Sequence, residues 1–584
     1  MRVWVAGMAF LGAACGAVSA GDAVECASDA ECATAAYARC GSKGICEPSC
    51  GSSTECASDS VCTAGGCVAL RSASTVDSVG TTVLGDCFGV LDGRTIPDIN
   101  GVADLPYDAG ADPIVVGVMG DFVDGRGQYF VDSIALDGVA MALNHLRGAL
   151  FPGARRVVAL VCSQEHAEAA ARHLVSVGAK AIIGPTTEMA ARSVLPVAAA
   201  AKIPVVSSWL LGRNAADGID MKGLLWLPAP EREAILLPLQ AKLAEAEAAF
   251  VSEHASAPRK MRVATLLDEA STTLEFSRYR EILGALTFNG APTASNENDA
   301  TCTNESSTGC YRTISTALDP SNPRAGYKTS LAIANEIAAF APDVIIPFAD
   351  VTTIASVPGQ VETISYAGKE PKPRWIVPFQ LTEYGSFKQI STYVKTTDPK
   401  DPPRAIPDEA LARVSGFRTF RSPREYERFL VSLAEFAPSR VTSADNAGPI
   451  ARSYEDTSLV FHAAYKAALD AKASGRTDFT AEELAAAIPK VTERGAVHVS
   501  STRVDATGGV GANALLAGKH IRLTGVLSAF DFDPVTGTVP GSWEAWQIAS
   551  TGSIPIATYT YASTGACYEP TSARFVDGSC TDAQ

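Results

Sequence analysis

The stretch from Ala179 to Trp209, AKAIIGPTTEMAARSVLPVAAAAKIPVVSSW, decides the fold. Ala-Ile-Ile before a Gly-Pro turn is a short buried strand. Glu188 to Ala201 is an alanine-rich segment of helical length, and Ile-Pro-Val-Val is a second apolar strand ending on Ser207, Ser208 and Trp209. Near-continuous apolar strands separated by a helix are the signature of a parallel sheet covered on both faces.

The same alternation extends outward. PIVVGVMG from Pro113, RRVVALVC from Arg155 and AKAIIGP from Ala179 read as strands. YFVDSIALDGVAMALNHL from Tyr129 reads as a helix with Ile134, Val139, Leu143 and Leu146 near one face. AEAAARHLVSV from Ala167 is the next helix. The series restarts after Pro230: a helix in REAILLPLQAKLAEAEAAFV, a strand in MRVATLLD, a helix in TLEFSRYREILGAL. After an interruption come SLAIANEIAAFA, PDVIIPFA and PRWIVPF, so two α/β units follow each other.

The 584 residues allow about three or four domains. Hydrophobic residues at 47% and charged residues at 19% describe a globular chain rather than a disordered one. The net charge of -16, spread along the chain, argues against nucleic acid and anionic membrane as partners.

The N-terminus, MRVWVAGMAFLGAACGAVSAGD, has the cation, short apolar run and small residues of an export signal. Two processing readings stand: cleavage after Ala20, or a lipobox in LGAAC with Cys15 as the lipidated residue, in which Gly12 replaces the usual larger aliphatic. Apart from such a lipid, nothing in the sequence calls for membrane contact.

Of 15 cysteines, Cys26, Cys32, Cys40, Cys46, Cys50, Cys56, Cys62 and Cys67 form one block, with CGSKGIC echoed by CTAGGC. In an exported segment too small for its own core this reads as four disulfides. Paired CxxC spacing and histidine are both absent from the block, which disfavours zinc. Cys302 with Cys310, and Cys567 with Cys580, are close enough in sequence to staple local loops, and Cys87 with Cys162 is the pair left over. The polar RSASTVDSVGTT that follows the block reads as a linker, with organised structure resuming near Asp112.

Ligands of such sheets bind beyond the carboxyl ends of the strands. The candidates there are Thr186, Thr187 and Glu188 after the third strand, Ser207, Ser208 and Trp209 after the fourth, and Asp121 and Phe122 after the first. Free N–H groups and hydroxyls at a helix start suit an anion. Each has a plainer role: Thr186 or Thr187 as an N-cap, Glu188 as a first-turn acid, Trp209 as strand-end packing.

The chain resembles the type I periplasmic solute-binding proteins, nearest to the leucine/isoleucine/valine-binding proteins of ABC importers. The residues that carry the resemblance run in order: IVVGVMGDFVDGRGQYFVDSIALDGVAMALNHL, VGAKAIIGPTTEMAARSVLPVAAAAKIPVVSSW, MRVATLLDEASTTLEFSRYREILGAL, APDVIIPFADV, RVSGF, SYEDTSLVFHAAYKAALDA and IRLTGVLSAFDFDPVTGTVPGSWEAWQI. They span Pro113 to Ile548, with insertions over 290–328 and 384–407. The resemblance implies two lobes, each a doubly wound parallel sheet, joined by three crossing strands that hinge over a small ligand. The expected organisation is a signal over 1–20 (or one ending before Cys15), a disulfide-rich module over 21–70 and a linker over 71–111. Lobe one would hold 112–229 and 421–528, lobe two 230–420 and 529–550, with a tail over 551–584.

The resemblance also locates departures. Glu188 stands where the family has a serine, and Leu211 where a threonine holds the ligand. Asp268 and Ser271 occupy a stretch that lacks the family's Tyr-Gly pair. The family's acid for the ligand's amino group falls near Phe379 or Gln380. With Glu188 and Asp268 added and that acid gone, a neutral or cationic ligand is expected in place of an ordinary α-amino acid.

Catalytic motifs are missing: none of the seven histidines sits in HExxH, and there is no GxSxG elbow or P-loop. His166 and His173 share a helix and read as solvated. DFDPVTGTVPGSWE fails as a calcium loop, with Thr536 at the glycine place and Ser542 at the glutamate place, and reads as a turn. An enzyme and a bound cofactor are therefore not expected. Two roles are: a solute-binding protein serving an ABC permease, or a cell-surface recognition or sensory protein with a surface partner.

Overall fold

In the computed structural model the described residues are 38–40, 46–48, 60–63, 66–69, 87–93, 113–120, 129–147, 149, 151–210, 212–230, 235–267, 279–280, 282–304, 307–318, 328–348, 357–365, 372–378, 410, 412–419, 423–437, 447–493, 495–503, 509–533, 535–539, 541–549, 552–562 and 565–569. The chain divides into two compact units, Met1–Ala69 and Leu70–Gln584.

The first unit contains two small antiparallel hairpins, Ala38–Cys40 with Cys46–Pro48 and Ser60–Thr63 with Gly66–Ala69. Their registers set Cys40 opposite Cys46 and Cys62 opposite Cys67, so the cysteines that bound CGSKGIC and CTAGGC face each other across a hairpin in both. Cys15, Ala20, Cys26, Cys32, Cys50 and Cys56 lie outside the described residues.

The second unit is built on two sheets. The first contains β1 (Cys87–Leu91), β2 (Ile114–Gly120), β3 (Val157–Ser163), β4 (Ile182–Ile183), β5 (Val205–Val206), β6 (Leu225–Pro230) and, from far along the chain, Thr538–Val539. Its spatial order from one edge is Thr538–Val539, β6, β5, β4, β2, β3, β1. All pairs are parallel except β1 with β3. Between β3 and β6 the order is second, first, third, fourth, fifth, the doubly wound arrangement that switches direction between its first and third strands.

Strand pleat explains why both faces must be covered. Along β2, Ile114, Val116 and Val118 pack on one side with α1 (Tyr129–Leu146). Val115 and Met119 pack on the other with α2 (Ala167–Ser176) and α3 (Glu188–Ala201). Val139, Leu143 and Leu146 of α1 are buried as their spacing predicts. Helix α3 begins and ends where the sequence places it, capped by Thr187 and closed by Lys202 in the left-handed conformation.

The second sheet follows the same plan. β7 (Val263–Leu267), β8 (Tyr311–Ser315), β9 (Val344–Phe348), β10 (Arg374–Val377) and β11 (Val414–Thr419) lie in the order β8, β7, β9, β10, β11. All of these pairs are parallel, so second, first, third, fourth, fifth recurs. The antiparallel strands Gly541–Ala549, Gly552–Ala562 and Gly565–Glu569 extend it beyond β11. α4 (Leu236–Glu253) covers one face and α5 (Ser330–Phe340) the other.

The chain passes between the sheets three times: after β6, after β11, and between Thr538–Val539 and Gly541–Ala549. The fold is thus α/β, with two doubly wound parallel sheets. After β11 come α6 (Pro423–Phe436), α7 (Gly448–Ala473), α8 (Ala481–Val491) and α9 (Val510–Leu516). Of these, α7 packs along α1 and belongs to the first sheet's core.

Several expectations need correction. Cys87–Leu91, read as linker, is an edge strand, and Cys87 is disulfide-bonded to Cys162 of β3. Tyr311–Ser315, read as insertion, is the outer strand β8; just before it, Cys302 is disulfide-bonded to Cys310, as their spacing predicts. Gly552–Ala562 and Gly565–Glu569, read as tail, are sheet strands; Cys580 lies outside the described residues. His173 is fully buried rather than solvated.

Candidate functional site

The carboxyl ends of β2 to β5 gather at one edge of the first sheet. β4 pairs with β2 (Gly117 with Ile182) and with β5 (Ile182 with Val205), so the loops after β4 and β5 leave adjacent strands. The first turn after β4 is set by Gly184, whose φ is 88° and whose Cβ would lie 2.2 Å from the Met119 carbonyl oxygen. Only glycine fits there. The Gly184–Pro185 bond is cis.

Hydrogen bonds weld the loops together. The Ser207 hydroxyl donates to the Pro185 carbonyl at 2.9 Å and accepts from the Trp209 N–H at 3.3 Å. The Thr186 N–H donates to the Gln164 carboxamide oxygen at 3.0 Å, and the Gln164 N–H donates to Gly120 at 2.9 Å. Thr187 accepts from the Ala190 N–H at 3.3 Å, the cap of α3. Glu188 follows in the first turn, 1% exposed, where the helix dipole favours an acid.

Ser208 is held from α7. Its N–H and hydroxyl donate to the two oxygens of Asp456 at 2.9 and 2.5 Å. Its carbonyl accepts from Arg452, whose guanidinium stands 5.7 Å from the centre of the half-buried Trp209 ring, in cation–π range. Burial pushes the Asp456 carboxyl up to about 6, against the pull of the Ser208 bonds and of Arg452. Its neighbour Glu455 accepts from the Leu527 N–H at 2.8 Å, and burial raises it well above the ordinary carboxylate range.

Thr186, Thr187, Glu188, Ser207, Ser208 and Trp209 are therefore brought together, with Thr187, Ser207 and Ser208 each engaged inside the protein. Asp121, Phe122, Leu211, Asp268, Ser271, Phe379 and Gln380 lie outside the described residues, as do the loops that leave β7, β9 and β10. Sequence reasoning passed over Gln164, Arg452, Glu455 and Asp456 as site residues. A signal was present in α7: charges at 452, 455 and 456 sit in a helix whose other residues there are small or apolar, and all three are buried. Buried charge in a helix needs partners, and the partners are the loops at the sheet edge.

Asp533 accepts from the Val535 and Thr536 N–H groups at 2.7 and 3.1 Å, forming the turn read from the sequence. Among the described residues no group of three or more His, Cys, Asp or Glu is arranged to hold a metal ion, and no helix is long and apolar enough to cross a membrane.

No family model and no curated protein matches the chain. Solved structures of the type I periplasmic class do resemble it. A leucine-binding protein of Thermotoga maritima is 14% identical, with 76% of this chain and 98% of that chain covered at a TM-score of 0.47. The branched-chain amino acid transporter substrate-binding protein of Streptococcus pneumoniae, solved with isoleucine, is 12% identical, with 79% and 100% covered at 0.47. A solute-binding protein of an ABC transporter from R. palustris, solved with 4-hydroxybenzoate, is 14% identical, with 77% and 98% covered at 0.48. The fold itself is defined by the strand orders above.

Proposed function

We propose that this chain is an exported solute-binding protein that holds a small polar ligand, amino-acid-like or an amide or cation, for delivery to an ABC permease. One observation carries the reading. Two sheets of identical doubly wound order are joined by three chain crossings, so each has a switch point of the kind at which such sheets take ligands. On the first sheet that edge is the Thr186–Glu188 and Ser207–Trp209 pair of loops, with Trp209 half-buried at its rim. The lobes are proposed to hold 112–229 with 421–539, and 230–420 with 541–550, β1 and the C-terminal strands being additions to this plan. The boundary expected at 528 moves because Phe530 lies in the first sheet's core and Thr538–Val539 pairs with β6.

A thermal-shift screen of the mature protein against amino acids, polyamines, amides, short peptides and sugars tests it. A ligand bound only by the folded state adds about 2.7 kcal/mol at a hundredfold excess over its Kd. The expected result is a raised midpoint for one class, lost in Trp209→Ala. Thr187→Ala should lower the baseline midpoint through loss of its cap, whether or not it touches ligand. An ordinary α-amino acid as the hit would overturn the ligand class.

Silence across the panel would overturn solute binding and favour a surface recognition or sensory role. That second reading is supported by Met1–Ala69, which forms a compact unit of its own with two matching hairpins.

A further inference from the structure

Three charged side chains lie within five residues near the start of α7, and none reaches solvent: Arg452, Glu455 and Asp456 are at most 2% exposed. Two of them act on one peptide. Asp456 takes both donors of Ser208, and Arg452 takes its carbonyl while standing over the Trp209 ring. The conformation of the loop after β5 is thus set by a helix some 240 residues further along the chain.

We propose that Arg452 and Asp456 are positioning residues for the Ser207–Trp209 loop, and that protonation of Asp456 loosens the loop, placing this half of the ligand site under pH control. The inference rests on the reading of that loop as ligand-facing.

The physical reason is the count of acceptors. An ionised carboxylate accepts both Ser208 donors and balances the buried Arg452 cation. Once protonated, one oxygen must itself donate, the hydroxyl bond has to reverse, and both bonds lose their charge assistance. Arg452 is then left in a buried site without that anion. The transition falls near pH 6, where burial has moved this carboxyl.

Other charged groups flank this part of α7. Glu455, on the same helix, is pushed further up by burial and by Asp456. Helix α1, packed along α7, brings the buried Asp137 and also His145, whose Nδ1 is 2.9 Å from the Tyr454 hydroxyl and which burial holds at about 4, neutral in this range. Helix α6 brings Glu425, bonded by Thr502 and Arg428. The segments 207–210 and 525–528 contribute no titratable side chain.

The test is the tryptophan emission of the full mature protein from pH 5 to pH 8, without ligand. Wild type should show a transition with a midpoint near 6. Trp209→Phe should lose its amplitude, which identifies the Trp209 ring as the reporter. Asp456→Asn should give the low-pH emission throughout. Ser208→Ala, which removes one bond to the anion, should move the midpoint up by as much as about one pH unit. Flat wild-type emission overturns the proposal, as does a transition that survives Asp456→Asn. If Asp456→Asn does not fold by circular dichroism, Ser208→Ala decides, and an unmoved midpoint overturns it. A silent solute screen would leave this titration standing, and a flat titration would leave the solute reading standing.

Discussion

A Cβ added to Gly138 of α1 would lie 2.1 Å from the carbonyl oxygen of Ile450 in α7, so the two helices meet backbone to backbone. This contact seats α7, and with it Arg452 and Asp456, against the first sheet. Gly138→Ala must part the helices or bend one of them, and should destabilise by about 2–3 kcal/mol. Gly284→Ala, where the added methyl meets nothing within 4 Å, should change stability by less than about 0.5 kcal/mol. Urea midpoints of the two variants check the contrast.

The Cys87–Cys162 bridge closes a separation of 75 residues and holds an edge strand that is antiparallel to its neighbour. On loop-closure entropy it should contribute about 4 kcal/mol, against about 2–3 kcal/mol for Cys302–Cys310 with its separation of 8. Paired alanine variants, unfolded in urea under oxidising conditions, should rank in that order.

Glu362 has a buried carboxylate held by Arg413 at 2.6 Å, with Lys372 at 3.7 Å. Removing Arg413 alone strands much of that charge. Arg413→Met should cost about 3 kcal/mol, and adding Glu362→Leu should recover part of the loss, because a buried pair costs desolvation on both sides. A double-mutant cycle reads the difference directly.

His462 is buried, its Nδ1 2.7 Å from the Ser458 carbonyl, and burial lowers it to about 4. The folded chain therefore binds fewer protons than the unfolded chain between pH 6.5 and 4. This part of the stability is complete above 6.5 and is lost as the pH falls toward 4, by about 3 kcal/mol at most. Asp456 and Glu455, raised by burial, act in the opposite sense, favouring the fold as they take up protons. His462→Gln should be less stable than wild type at pH 7.5 and should lose less between 7.5 and 4.5, as read from urea midpoints.

Much of the fold is legible in the sequence where strands and helices are buried on both sides. Ile114–Gly120, Tyr129–Leu146 and Glu188–Ala201 match their apolar patterns nearly residue for residue, because a central strand or a packed helix must be apolar wherever it touches a neighbour. The strands that escaped notice, Cys87–Leu91, Leu225–Pro230, Tyr311–Ser315, Thr538–Val539, Gly552–Ala562 and Gly565–Glu569, lie at or next to sheet edges, where fewer neighbours impose a pattern. At the candidate site the sequence pointed to Thr187, Ser207 and Ser208 by their hydroxyls. It gave no weight to Asp456, whose bond to Ser208 joins positions 248 apart.

By itself, the sequence determined that two α/β units follow one another, where most of their central strands and helices lie, and that a threonine, Thr186 or Thr187, caps α3. Those properties are set by side-chain period and by contacts within a few residues. Only the tertiary structure decided that Thr538–Val539 joins the first sheet, that Cys87–Leu91 and Tyr311–Ser315 are edge strands, and that Ser208 is spoken for by Asp456. Each depends on which distant segments come to lie side by side, and packing of the whole core settles that.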